Sequence, residues 1–131
     1  VSRITIVVEG DDYAVEQVTK QLNKLINVIT VKKLESGDSV QRELALIKVN
    51  ADASTRAEIM QIVEIFRAKI VDVSANTLTV EVSGDEEKVK ALEDMLKQFG
   101  IKEIVRTGLI ALERGEKYIN INNNNNENIE E

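Results

Sequence analysis

The sequence predicts an α+β fold, a ferredoxin-like βαββαβ module preceded by part of a second one. Three observations carry this. Short stretches with apolar residues at every second position interleave with stretches of helical period. The first such unit recurs further along the chain at a constant offset of 74 residues. The 43% hydrophobic content is drawn from Val, Ile and Leu, with only 3% aromatic residues, which suits sheets covered on one side by helices. At 131 residues there is material for one ordinary domain or two small ones.

The elements follow in order. Ile4, Ile6 and Val8 alternate with Thr5, Val7 and Glu9, the pattern of a half-buried strand, which Gly10-Asp11 ends. Val15, Val18, Leu22, Leu25 and Ile26 then mark one face of a helix, with Asp11 or Asp12 placed to cap it, and residues 28–31 read as a strand. A polar connector leads to a strand at 44–49. Next comes a helix with Ile59, Ile62, Val63 and Phe66 inward and Asp52 or Ser54 as its cap. Strands at 70–73 and 78–82 flank the turn Ser74-Ala75-Asn76. A third helix, opened by Asp85, points Val89, Leu92, Met95, Leu96 and Phe99 inward and stops at Gly100, and residues 101–105 supply the last strand.

The offset pairs Thr5 with Thr79, Val8 with Val82, Gly10 with Gly84, Asp11 with Asp85, Val15 with Val89 and Leu22 with Leu96. The later copy is the second half of a complete split βαβ module, whereas the first copy stands alone. The expected organisation is therefore a βαβ half-unit over 1–35, a linker over 36–42, a complete module over 43–115 and an Asn/Glu-rich tail over 116–131 expected to be disordered. A lone βαβ piece leaves a sheet face and edge uncovered. The expectation is that another strand-helix-strand, about 30 residues, precedes Val1 in a parent protein, or that another chain completes the sheet.

Composition narrows the chemistry. A net charge of −6 disfavours nucleic acid and anionic membranes. The absence of any apolar run of about 20 residues argues against a membrane span, so a cytoplasmic protein is expected. There is no His and no Cys, which removes the usual nucleophilic dyads and nitrogen or sulfur metal sites. The carboxylates Glu16, Glu58, Glu86, Glu87 and Glu93 read as solvated charge rather than general bases. Gly10-Asp11-Asp12 and Gly84-Asp85-Glu86 precede helices, whose N-termini are places for a phosphate to dock, but their acidic residues occupy the anion's place, so a turn with a cap is expected. RNA binding on the sheet would need exposed aromatic rings among basic residues. Tyr13 and Tyr118 lie off the strands, and Phe66 and Phe99 follow buried faces.

Three cations are candidates for contact with a partner. Arg67 ends the second helix, where the dipole favours positive charge whatever the function. Arg106 follows the last strand, and Arg114 lies in the Gly-bounded segment 108–115, whose Leu109, Ile110 and Leu112 are apolar enough to pack. A local structural role is the reading favoured by the usual behaviour of surface arginines. Their enrichment at interfaces supports the other.

Four stretches together resemble the acetolactate (acetohydroxyacid) synthase small subunit, a family of ACT-domain regulators: SRITIVVEGD at 2–11 with EQVTKQLNKL at 16–25, RELALIKV at 42–49, EIFRAKIVDVS at 64–74 and IVRTG at 104–108. The resemblance implies ACT-like folds and a non-catalytic subunit that binds and activates the catalytic subunit and confers feedback inhibition by valine or a related branched-chain amino acid. It also implies a homodimer, with thiamine diphosphate, magnesium and FAD carried by the catalytic subunit. In such families the effector is gripped by the loop after the first strand and the start of the second strand of paired N-terminal ACT domains. That loop and strand match no stretch here, so effector-binding residues carry over to no position. A stand-alone amino-acid-binding ACT module is the alternative reading, and a small enzyme working with carboxylates alone is the third.

Overall fold

The structure, a computed structural model, describes residues 2–121. They fall into two compact units, one formed by residues 41–110 and the other by residues up to 40 together with those from 111 onward.

The first of these is built on β1 (Ser39–Asn50), α2 (Arg56–Ile65), β2 (Lys69–Val73), β3 (Thr77–Gly84), α3 (Glu86–Leu96) and β4 (Ile101–Arg106). The strands run in the order β2-β3-β1-β4, all pairs antiparallel, as the split βαβ pattern predicts. Alternation along β1 decides which face is covered. Ala45, Ile47 and Val49 are fully buried, while Leu46, Lys48 and Asn50 lie on the open side. Ile47 stands opposite Val80 on β3 and Ile104 on β4, so one apolar row crosses three strands. Ile59, Ile62 and Val63 of α2 and Val89, Leu92 and Leu96 of α3 close over it, with Phe66, Phe99 and Ile104 partly buried at its margin. Each large aliphatic side chain taken fully out of water contributes about 1.5–3 kcal/mol, so this layer dominates the unit's stability.

The helix boundaries have local causes. The Asp85 carboxylate accepts the Lys88 amide at 2.8 Å and caps α3, as expected. Asp52 works one step before its helix. Its Oδ1 accepts the amides of Ser54 and Thr55 at 2.9 and 3.1 Å and the Ser54 hydroxyl at 2.6 Å, forming the turn that delivers the chain to α2. The residue in the cap position of α2 is Thr55, which makes no side-chain cap bond to the helix. After α3 a short 3-10 turn, Lys97–Phe99, ends at Gly100 with φ +93. Met95, expected inward, is 44% exposed. Val89, Leu92 and Leu96 form the buried stripe, and position 95 falls off its side.

Two sheet features differ from expectation. β1 starts at Ser39, so the end of the stretch expected to be a connector is strand, and Ile110–Glu113 forms a further strand, β5, that pairs with β1. A polar stretch such as Ser39–Arg42 becomes strand when a neighbour supplies the hydrogen bonds. A sequence window does not contain that neighbour.

The other unit contains α1 (Asp12–Asn23), capped by Asp11, which accepts the Ala14 amide at 2.9 Å. The strands expected at 4–8 and 28–31 do not form. A strand exists only as one side of a hydrogen-bonded ladder, and these segments have no partner among the described residues. The comparison with the repeat is direct. Ile4 and Ile6 are 82% and 54% exposed, whereas Leu78 and Val80, 74 positions later, are 1% and 0% exposed. α1 also stops at Asn23, leaving Leu25 and Ile26, expected on its inner face, outside the helix and exposed. What ties this unit together comes from the far end of the chain. The Arg3 guanidinium donates to the Ala111 carbonyl at 2.6 Å, Lys32 pairs with Glu113 at 3.0 Å, and the Arg114 amide donates to the Asp38 carbonyl at 2.9 Å. The asparagine run 122–126 and the terminal glutamates, expected to be disordered, lie outside the described residues.

Candidate functional site

The structure separates the three candidate arginines. Arg106 is engaged within its own unit. Its Nε and Nη2 donate to Glu43 Oε1 at 2.9 and 2.6 Å, and Nη1 lies 3.8 Å from Glu93 Oε2. Glu43 is only 7% exposed and sits on the covered side of β1, in phase with Ala45, Ile47 and Val49. Opposite Ala45 in the register stands Arg106. A buried carboxylate requires such a partner, because removing it from water without one costs several kcal/mol. Glu93, expected on a solvent face, belongs to this cluster, with its side chain 20% exposed.

Arg114 uses its backbone amide to hold the end of β5. Arg67 is different from both. Its φ is +54, and every other described residue with a positive φ is a glycine. It sits just past α2, where the Ala68 amide donates to the Val63 carbonyl at 2.9 Å and the Arg67 amide to the Glu64 carbonyl at 3.0 Å, a left-handed helix end of the Schellman kind. The Arg67 side chain is exposed and makes no hydrogen bond or ion pair with any described residue.

Sequence reasoning missed Arg56 as well. Its Nη2 donates to the carbonyls of Ala51, Ser74 and Ala75 at 3.2, 2.7 and 3.0 Å, pinning the β2–β3 turn to the start of α2. No sequence signal marks this clamp, whereas Glu43 was detectable as a charge in phase with a buried apolar row. Hydrogen bonds from the Ser54 hydroxyl and from the Ser54 and Thr55 amides hold the Asp52 carboxyl below its usual value, and a hydrogen bond from Lys97 does the same for Asp94. A hydrogen bond to Glu35 raises Lys33.

The two glycine-acid spots act as the cap reading requires, with Asp11 and Asp85 on the helix amides where an anion would dock. Among the described residues no group of His, Cys, Asp or Glu is arranged to hold a metal ion, and no helix is long and apolar enough to cross a membrane. The surface features that remain are exposed apolar side chains. In the unit of residues 41–110 they include Ile65 at 77%, Val71 at 51% and Val73 at 61%, which lie on either side of Arg67 along the chain.

Comparison with known proteins places these features. A family model described as the small subunit of acetolactate synthase matches residues 42–115, and one described as an AHAS small subunit-like ACT domain matches residues 1–30. A protein of Archaeoglobus fulgidus named "Probable acetolactate synthase small subunit" is 56% identical over 116 residues, covering 88% of this chain and 72% of the relative. The acetolactate synthase small subunit of Mycolicibacterium smegmatis is 53% identical over 118 residues, covering 90% of this chain and 69% of its own length. Among solved structures, the acetolactate synthase small subunit from Thermotoga maritima superposes with a TM-score of 0.74 at 42% identity, covering 83% of this chain and 68% of that one.

Proposed function

Because the chain belongs to the acetolactate synthase small-subunit family, and is thus a regulatory and non-catalytic subunit, we propose that it binds the catalytic subunit of that enzyme, raises its activity and makes it responsive to valine or a related branched-chain amino acid. On this reading the thiamine diphosphate, magnesium and FAD belong to the catalytic subunit. The observation that carries the proposal is the extent of the family match. Residues 42–115 take in all but the first three residues of the four-stranded module, with its two covering helices, so this part of the family match is also a compact folded body.

The physical requirement on such a regulator is a difference in contact. A subunit shifts the activity of another only by binding its active arrangement more tightly, and an effector reverses this only through differential affinity for the two arrangements. The half-unit around α1 is the natural place for an effector response, because its uncovered apolar segments gain most from pairing with a second copy in a homodimer.

The test mixes this chain with a matching catalytic subunit and follows acetolactate formation. The expected result is a saturable rise in rate with chain concentration, lowered by valine, leucine or isoleucine. A rate unchanged over all molar ratios would refute the partner relation. Activation with no response to any of the three amino acids would retain the partner and remove the effector.

A further inference from the structure

We infer that Arg67 is a partner-contacting residue, held in a backbone conformation that suits glycine so that its guanidinium meets a carboxylate of the catalytic subunit. The inference rests on the regulatory reading above and names the contact that reading needs.

The argument starts from the backbone. The position after a helix that closes a Schellman end takes a left-handed conformation, which costs an L-residue steric strain and glycine none. The other described residues with a positive φ, Gly10, Gly100, Gly108 and Gly115, are all glycine. At position 67 the chain uses Arg at φ +54. Local benefits fall short of explaining that choice. A cation beyond the end of α2, whose last turn has no basic residue, does favour the helix dipole. But the side chain has no hydrogen bond or ion pair with any described residue, and an exposed cation near a helix end is among the weakest of such effects.

The residues that flank Arg67 along the chain are also exposed. Ile65, two residues earlier, is 77% exposed, and Val71 and Val73 on the edge strand β2 are 51% and 61% exposed. Lys69, exposed between them, adds a second positive charge. An exposed arginine fork with no partner of its own matches a carboxylate that becomes shielded from water on docking, the setting in which a bidentate pair is strongest. Overall the chain carries a charge of −6, so this local positive spot is not part of a general attraction for acidic partners.

The experiment measures thermal unfolding of the chain alone and titration of the catalytic subunit by the whole chain for Arg67→Gly, Arg67→Ala and Arg67→Lys. Arg67→Gly relieves the backbone and is expected to raise the unfolding midpoint by about 4 °C or more, yet to weaken the complex by about tenfold or more. Arg67→Ala keeps the strain, leaves the midpoint near that of the unaltered chain and weakens the complex equally. Arg67→Lys, with charge but no fork, falls between. A folded Arg67→Gly or Arg67→Ala chain that titrates the catalytic subunit like the unaltered one overturns the assignment while the regulatory reading stands. A lowered midpoint for Arg67→Gly removes its premise. Failure of the unaltered chain to bind defeats the regulatory reading, and this inference with it.

Discussion

Replacing Arg106 with Leu should damage the fold more than replacing Glu43, even though the two form a single pair. The Glu43 carboxylate is 7% exposed and receives both of its charge-assisted bonds from Arg106, at 2.9 and 2.6 Å. Stripping a buried carboxylate of its partner costs about 3–5 kcal/mol. Because the Arg106 side chain is itself 35% exposed, water reaches the vacated space and lowers this to about 2–3 kcal/mol. The Glu43→Leu variant instead leaves an arginine with access to solvent and with Glu93 at 3.8 Å, and should cost about 1–2 kcal/mol. With both changed, neither charge is stranded and the two leucines join the apolar row, so the loss should be within about 1 kcal/mol. The cycle therefore shows coupling of about 2–5 kcal/mol. Circular dichroism during heating reads it, since each kcal/mol displaces the midpoint of a module this size by about 4–8 °C. Additive losses, or an Arg106→Leu variant no less stable than Glu43→Leu, would refute the reasoning.

Three further outcomes follow from positions elsewhere. Leu92→Ala, at a fully buried site on α3, should cost about 2–5 kcal/mol, while Ile4→Ser, at an 82% exposed site, should stay within about 0.5 kcal/mol in the isolated chain. Denaturant titration of both variants compares the covered module with the uncovered half-unit. Gly100→Ala places a side chain at φ +93 with its Cβ 2.6 Å from Asn50 Nδ2, and should cost about 1–3 kcal/mol, mostly backbone strain because the amide of Asn50 can move aside; chemical denaturation measures it. Asp52 has its carboxyl lowered from 3.8 by the hydrogen bonds of its turn, so the stability it adds is complete above that value and is lost as pH falls through its lower folded value. The stability gap between the unaltered chain and Asp52→Ala, measured by unfolding from about pH 5 to about pH 2, should narrow toward acid.

The complete module was legible in the sequence because its signals are local and agree with one another. Ala45, Ile47 and Val49 alternate, Val89, Leu92 and Leu96 repeat at helical spacing, and Asp85 caps where a cap was expected. The two strands expected in the half-unit were misread by the same logic. Ile4, Ile6 and Val8 carry a strand's pattern, but a pattern supplies no neighbouring backbone, and in its absence no ladder forms. β5 was invisible for the converse reason, since its identity as a strand depends on β1, about 60 residues away in the chain. At the candidate site, Arg67, Arg106 and Arg114 could be picked out by residue type but not told apart. The register that sets Arg106 beside Glu43 and the positive φ of Arg67 are properties of the folded chain.

Among the described residues, β2 has β3 on one flank only, and it skips a register step between Ile70 and Asp72. An open flank of this kind is where sheet proteins stack on their own kind without end. The skipped step gives the strand a local twist that a straight newcomer fits poorly, and Lys69 and Asp72 would each have to shed water for it to dock. Fibrous growth from this side is thereby discouraged, and the flank stays open without inviting copies of the chain to add to it.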